Sequence, residues 1–270
     1  VKKAKKRNFD FIQDIQIMPI RYILELSEKG IIKNIPKSFF YKKLKDREDF
    51  ILENSTRIVC PSSFLEKKLS FYTRNKNLDI CYFGVDLKKF KSLKNDNLTK
   101  KNIKVGFLGQ ISERKGLRYL LEAFIDNNFK DDELFIGGSI QKTNVDFEIK
   151  NFKRNNINFL GNVNPVEFFK NIDILVHPSL IEGSAKVIYE AMASGVIPIV
   201  TPNTGSIVEN GKDGLIINIC DSEDIKEKLS FLKENMPNQD FKDNIKKKIY
   251  EFSWNSYAIK YLNLISQRND

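Results

Sequence analysis

Ile103-Lys104-Val105-Gly106-Phe107-Leu108-Gly109-Gln110-Ile111-Ser112-Glu113-Arg114-Lys115-Gly116 is the stretch that decides the fold. Its first six residues make a short, largely apolar run, which is how a strand buried on both faces reads, and the run stops at Gly109. A loop with two basic residues follows. From Gly116 to Asn128 the apolar positions Leu117, Leu120, Leu121 and Phe124 recur at helical spacing, so one face of a helix is meant for burial. A buried strand, a glycine-containing loop and an amphipathic helix together form the βα unit of a parallel sheet.

The same alternation continues downstream. Strands are expected at Glu133 to Ile136, Asn158 to Leu160, Asp173 to His177 and Ile197 to Thr201, with a shorter one at Gly214 to Asn218. Helices are expected at Pro165 to Lys170, about Lys186 to Ser194, and Ser222 to Asn235. This is a parallel α/β domain, and such sheets bind ligands beyond the carboxyl ends of their strands. The loops after Leu108, Ile136, Leu160, His177 and Thr201 are therefore the places to look. Upstream the pattern is incomplete: Asn54 to Cys60 runs from a helix end into a strand, Ser62 to Tyr72 reads as a helix, Ile80 to Phe83 as a strand, and residues 9–29 as helical and apolar. Two strands do not make a stable open sheet, so residues 1–90 read as a partial lobe. Lys91 to Lys101 is polar and aperiodic, a linker to the complete domain at 102–251.

Composition excludes little. Of 270 residues, 41% are hydrophobic and 30% charged, as in ordinary globular proteins. Lys and Arg outnumber Asp and Glu by 45 to 35, and the first fifty residues hold 13 basic against 7 acidic side chains. A basic surface attracts nucleic acid, anionic lipid or a nucleoside diphosphate, and it is equally the mark of a lysine-rich solvated face. The uncharged stretch Ala191 to Val208 is broken by Gly195, Pro198, Pro202 and Gly205, so it does not span a membrane. Residues 1–7 lack the apolar core of an export signal, and a cytoplasmic location is expected. With three widely spaced cysteines and one histidine, neither a disulfide framework nor a metal site is expected.

Two segments carry chemistry. The loop Gly109 to Gly116 offers backbone N–H groups and Lys115 where an anion is favoured, although many strand-to-helix loops do so. More specific is Pro178-Ser179-Leu180-Ile181-Glu182-Gly183-Ser184-Ala185-Lys186-Val187-Ile188-Tyr189-Glu190, with one carboxylate before a helix and a second inside its second turn. Eight helical residues rise about 12 Å, comparable to the reach from hexose to ribose in a sugar nucleotide. Gly183, Ser184 and Ala185 are small enough to let a phosphate approach the helix N-terminus, while the carboxylates would repel it and so should meet hydroxyls. The plain alternative is that Glu182 complements the helix dipole and Glu190 is solvated. His177 lines the same pocket or simply packs at a strand end.

The pattern Pro-Ser-x-x-Glu-Gly-x-x-x-Val-x-x-Glu-Ala-Met-Ala-x-Gly from Pro178, with Gly-x-x-x-x-x-Lys-Gly from Gly109 upstream, resembles family 4 of the glycosyltransferases. The resemblance runs from about Ser55 to the end. Phe83 to Phe90 looks like that family's lobe junction, and Phe252-Ser253-Trp254 like the start of a last helix, 252–270, crossing back to the first lobe. It implies the GT-B fold, built of Rossmann-like domains, and retaining transfer of a sugar from a nucleoside diphosphate to an acceptor hydroxyl, in surface polysaccharide or glycolipid synthesis, without metal or other cofactor. By carry-over, Glu190 binds the ribose, Glu182 the donor sugar and Lys115 the diphosphate, making Glu182 and Lys115 the catalytic pair. Gly109 and Gln110 belong to the first donor loop, Gly183, Ser184, Ala185, Lys186 and Val187 to the phosphate cradle, and Gly161, Asn162 and Val163 to the loop lining the base.

Two departures from the family pattern matter. Gln110 stands where an arginine is usual, which removes a positive charge from the leaving diphosphate; Lys186 or Arg114 is the expected substitute. The strands and Gly-rich loop that open the first lobe are expected to be missing, which leaves a nucleotide-sugar-binding module without turnover as an alternative reading. An epimerase or phosphorylase of the same architecture is another. The expected partners are the donor and a glycan or lipid-linked acceptor, with peripheral contact at the inner membrane face. Nucleic acid is not expected, because no recognition motif for it is present.

Overall fold

The computed structural model describes residues 11–33, 39–75, 77–91, 102–140, 151–152, 154–235 and 239–266. The chain opens with strand β1 (Ile12–Asp14), helix α1 (Ile20–Glu28), helix α2 (Phe39–Asn54), strand β2 (Arg57–Cys60), helix α3 (Ser63–Tyr72) and strand β3 (Leu78–Ile80). The three strands pair in the order β1-β2-β3, all parallel. The expectation of one helix over 9–29 is thus corrected: Pro19 caps α1, and a proline holds the residue before it in extended backbone, so no helix runs through it. Ile12–Asp14 takes the strand conformation instead, and the first sheet has three strands rather than two. The strand expected at Ile80 to Phe83 begins earlier, at Leu78.

A six-stranded sheet follows. Its elements are β4 (Lys104–Leu108), α4 (Leu117–Phe124), β5 (Glu133–Gly137), β6 (Ile157–Gly161), α5 (Pro165–Lys170), β7 (Ile174–His177), α6 (Lys186–Ala193), β8 (Ile197–Val200) and β9 (Leu215–Ile216). Helices α7 (Ser222–Glu234), α8 (Gln239–Tyr250) and α9 (Trp254–Ser266) complete the described chain. Strand order is β6-β5-β4-β7-β8-β9 with every pair parallel. The chain builds outward from β4 in one direction, returns, and builds outward from β7 in the other. The crevice between the carboxyl ends of β4 and β7 is the topological switch point, where ligands of open α/β sheets bind.

Packing explains these boundaries. Every residue of β7 and β8 is buried, as expected of a sheet covered on both faces. Leu117, Leu120, Leu121 and Phe124 of α4 are all buried, on the face their spacing marked out. The helix ends at Phe124, short of Asn128, because Asp126 accepts from the Asn128 N–H and starts a tighter turn over Asn127–Phe129. That turn brings the ring of Phe129 onto Phe124, with centroids 5.5 Å apart. Burying each such side chain stabilises by roughly 1.5–3 kcal/mol. The linker expected at 91–101 lies, beyond Lys91, outside the described residues. Past α8, Val85 bridges Ser253, and Tyr257 of α9 packs on Phe83, so α9 lies against the segment that leaves the first sheet.

Candidate functional site

Gly116 allows the two chemical loops to meet. Its φ is +69°, and a Cβ there would sit 2.0 Å from the Pro178 carbonyl oxygen, so only glycine permits this approach of the loop after β4 to the loop after β7. The contact is closed by a backbone bond, Leu180 N–H donating to Arg114 O at 2.8 Å, and Ser179 Oγ lies 3.0 Å from the same carbonyl.

Glu182 is the hub of the resulting site. Its Oε1 is paired with the Lys115 ammonium and accepts from Ser179 Oγ at 3.2 Å, while Oε2 lies 3.4 Å from Arg114 Nη1. The side chains of Lys115 and Glu182 are only 13% and 12% exposed, so solvent does little to weaken their pairing. Burial pushes the Glu182 carboxyl upward, but the Lys115 ammonium paired with it outweighs this and holds the group well below the usual carboxylate range. Burial also pushes the Lys115 ammonium down, against the pull of Glu182.

His177 ends β7 directly beneath this cluster. It is wholly buried, stacked on Phe107 with centroids 5.9 Å apart, and its Nε2 lies 3.6 Å from Glu182 Oε1, just beyond hydrogen-bonding distance. Burial lowers its pKa, so the ring is neutral, and neither nitrogen has a hydrogen-bond partner among the described residues. A buried polar group left unpaired in this way is a place for a ligand atom or an ordered water.

Glu190 lies on α6, past its first turn. It is half-buried, its pKa is raised by burial and drawn back by Lys89 and Lys186, and no hydrogen bond reaches its carboxylate among the described residues. Between the two acids, the Glu182 and Ala185 N–H groups are already taken, donating to Asn203 O at 2.9 Å and Thr204 O at 3.0 Å. The first-turn N–H groups of Lys186 and Val187 have no intrahelical acceptor and point out of the helix mouth. Ser184 Oγ lies 3.3 Å from the Tyr189 hydroxyl. The Lys186 ammonium sits over the rings of Phe83 and Trp254, at 4.8 and 5.8 Å.

The remaining sequence-derived positions share the carboxyl edge of the sheet without bonding to Glu182 or Lys115. Gln110 is exposed beyond β4, and Gly161 and Asn162 are exposed at the end of β6, where Gly161 O accepts from Gly138 N–H at 2.7 Å. Val163 packs over Gly137. Among the described residues no group of three or more His, Cys, Asp or Glu side chains is arranged to hold a metal ion.

The family profile of glycosyl transferases group 1 matches residues 88–251, which holds the six-stranded sheet and both loops. The chain belongs to that family. Among its curated relatives is the capsular polysaccharide biosynthesis glycosyltransferase CapM of Staphylococcus aureus, 28% identical over 226 residues, covering 76% of this chain and 59% of CapM. Another is the N,N'-diacetylbacillosaminyl-diphospho-undecaprenol alpha-1,3-N-acetylgalactosaminyltransferase of Campylobacter jejuni, 26% identical over 79% of this chain and 58% of that one. The chain thus spans less than two thirds of these relatives' length. Among solved structures, Anabaena Alr3699/HepE in complex with UDP superimposes with a TM-score of 0.77 at 16% identity, over 97% of this chain and 74% of that one. The shared fold is GT-B.

Within this group 1 glycosyl transferase chain, sequence reasoning passed over Ser179 and Asn203. Ser179 bonds the Glu182 carboxylate, and Asn203 accepts from the Glu182 N–H and donates to Leu180 O at 2.8 Å. The signal for Asn203 was its place in a Pro202-Asn203-Thr204-Gly205 turn after a buried strand, a loop already marked as lying at the ligand edge.

Proposed function

We propose that the chain holds a nucleoside-diphosphate sugar across the mouth of α6 and transfers the sugar, with retained anomeric configuration, to an acceptor hydroxyl. The observation that carries this reading is the division of labour at the switch point: a cation-paired, ionised Glu182 beside Lys115 in the loop before α6, and on α6 itself a half-buried Glu190 whose carboxylate has no hydrogen-bond partner among the described residues. The diphosphate would draw the Lys115 ammonium and the N–H groups of Lys186 and Val187, which a helix N-terminus offers to anions. Arg114 stands ready for the charge that grows on the leaving diphosphate, in place of the positive charge that Gln110 lacks. Glu182, released from part of its pairing, accepts hydrogen bonds from donor-sugar hydroxyls, and Glu190 accepts them from the ribose. Gly161, Asn162 and Val163 form the edge against which the base would lie.

The names of the CapM and Campylobacter relatives support a growing glycan or a lipid-linked sugar as acceptor, and the 13 basic against 7 acidic side chains of the first fifty residues are the ground for proposing contact at the inner membrane face. Among the described residues no helix is long and apolar enough to cross a membrane. A second reading is a donor-binding module without turnover. Incubation with UDP- and GDP-sugars and a panel of soluble hydroxyl acceptors, followed by proton NMR of the anomeric signal, separates these readings. The proposal expects α-configured product from an α-linked donor. Product of inverted configuration would overturn retention, and tight donor binding without product would favour the module.

A further inference from the structure

We propose that the first lobe positions Glu182 for the donor sugar through a clasp centred on the Ser62 hydroxyl; the inference rests on the donor-binding reading above. The loop that carries Glu182 leaves the second sheet after β7 and enters the hydrophobic core of the other lobe. Leu180 and Ile181, 1% and 5% exposed, pack in one cluster with Met18, Tyr22, Leu65 and Leu69. Only at Ala185 does the chain return to its own sheet, to start α6.

Hydrogen bonds lock that excursion. The Ser62 hydroxyl donates to Gly183 O at 2.5 Å and at the same time accepts from Leu65 N–H at 3.1 Å, capping α3. With proton and lone pair both engaged, the hydroxyl has one orientation. The Tyr22 hydroxyl accepts from Asn203 Nδ2 at 3.3 Å, and the Asn203 carbonyl accepts from the Glu182 N–H at 2.9 Å. The backbones leave no slack: a Cβ on Gly183 would lie 2.0 Å from Gln16 O, and one on Gly205 would lie 2.3 Å from Gly183 O. The peptide of Glu182 is therefore held at the lobe junction, while its carboxylate is held by Lys115 and Ser179 of the second lobe. Donor-sugar recognition by Glu182 then depends on the clasp, whereas Glu190, on α6 beyond Ala185, is not part of it.

Ser62→Ala removes both the clasp and the α3 cap, so a cap variant elsewhere is the control. Asp221→Ala removes the α7 cap, where Asp221 accepts from Asp224 N–H at 3.0 Å, far from the site in sequence and outside the clasp. Two readouts on the full chain decide the matter: amide hydrogen exchange at Glu182 and Ala185, and titration with UDP and GDP alongside UDP-glucose and GDP-mannose. Ser62→Ala is expected to speed exchange at Glu182 about tenfold, the effect of losing one buried hydrogen bond. It should lower nucleotide-sugar affinity about tenfold while leaving the bare nucleotide nearly unchanged, and Asp221→Ala should do neither. Unchanged exchange at Glu182, equal acceleration in Asp221→Ala, or equal loss of nucleotide and nucleotide-sugar binding would each overturn the clasp as a positioning device. A parent chain that binds none of the four ligands refutes the donor reading instead, and exchange at Glu182 still decides whether the clasp holds the loop.

Discussion

At the scale of single residues, the site sorts its cations. Lys115 is buried against Glu182, whereas the Lys186 ammonium rests over the faces of Phe83 and Trp254. A cation on aromatic faces gains about 0.5–1 kcal/mol at exposed sites, a modest hold that a diphosphate must overcome. Lys115→Met is therefore expected to weaken nucleoside-diphosphate binding by a factor of ten or more and Lys186→Met by a few-fold; equal losses in a calorimetric titration would contradict this ranking. His177 supplies a second test. Burial sets its folded pKa below the unfolded value of about 6.5, so as pH falls through that value the unfolded state takes up a proton that the folded state refuses. Stability contributed by the neutral ring is thus present above about pH 7 and lost on acidification. His177→Phe, which keeps the stack on Phe107, should lose less melting temperature between pH 7.5 and 5.5 than the parent. Glu48, whose pKa is raised to about 7, gains stability over the same interval, but it does so in both proteins and cancels. An identical drop in the two would contradict the assignment.

Elements were legible in the sequence where one physical signal dominated. The apolar runs of β4, β7 and β8 and the helical spacing on α4 needed no tertiary context, because strands buried on both faces and a helix with one buried face write themselves into hydrophobicity. Helix α8 was not legible: its sequence is lysine-rich, and only Ile245 and Ile249, one turn apart, are buried. Strand β1 hid for a different reason. Its three residues are half-buried, and their strand character comes from pairing with β2, a partner more than forty residues away. Glu182, Glu190 and Lys115 stood out because loop glycines and small residues surround them, whereas Ser62 and Asn203 act through the fold and left no local mark. The βα loop that seats Lys115 offers the test at this scale. Gly116→Ala should lower the melting temperature, since a Cβ at φ +69° would meet Pro178 O, and the combined strain and clash cost more than the 1 kcal/mol of an ordinary left-handed alanine. A melting temperature within experimental error of the parent would show that the two loops are not held together there.

At the scale of the whole molecule, a three-stranded and a six-stranded parallel sheet meet at the loop that carries Glu182, and the crossing helix α9 leans back on the first. The sequence made the second sheet and its switch point readable. It did not show that the two lobes share a core through Leu180 and Ile181, because such contacts have no periodicity to read. The central claim is that one donor spans from Glu182 to Glu190, and the half-buried carboxylate of Glu190, which has no hydrogen-bond partner among the described residues, is where it is most open to test. Titration of the parent and of Glu190→Gln with UDP, GDP and ADP tests it most directly. The account predicts that one of these nucleotides binds the parent and that Glu190→Gln weakens it about tenfold, the loss of a charge-assisted pair of hydrogen bonds to the ribose. Binding unaltered by the substitution, or no binding of any of the three, would contradict it.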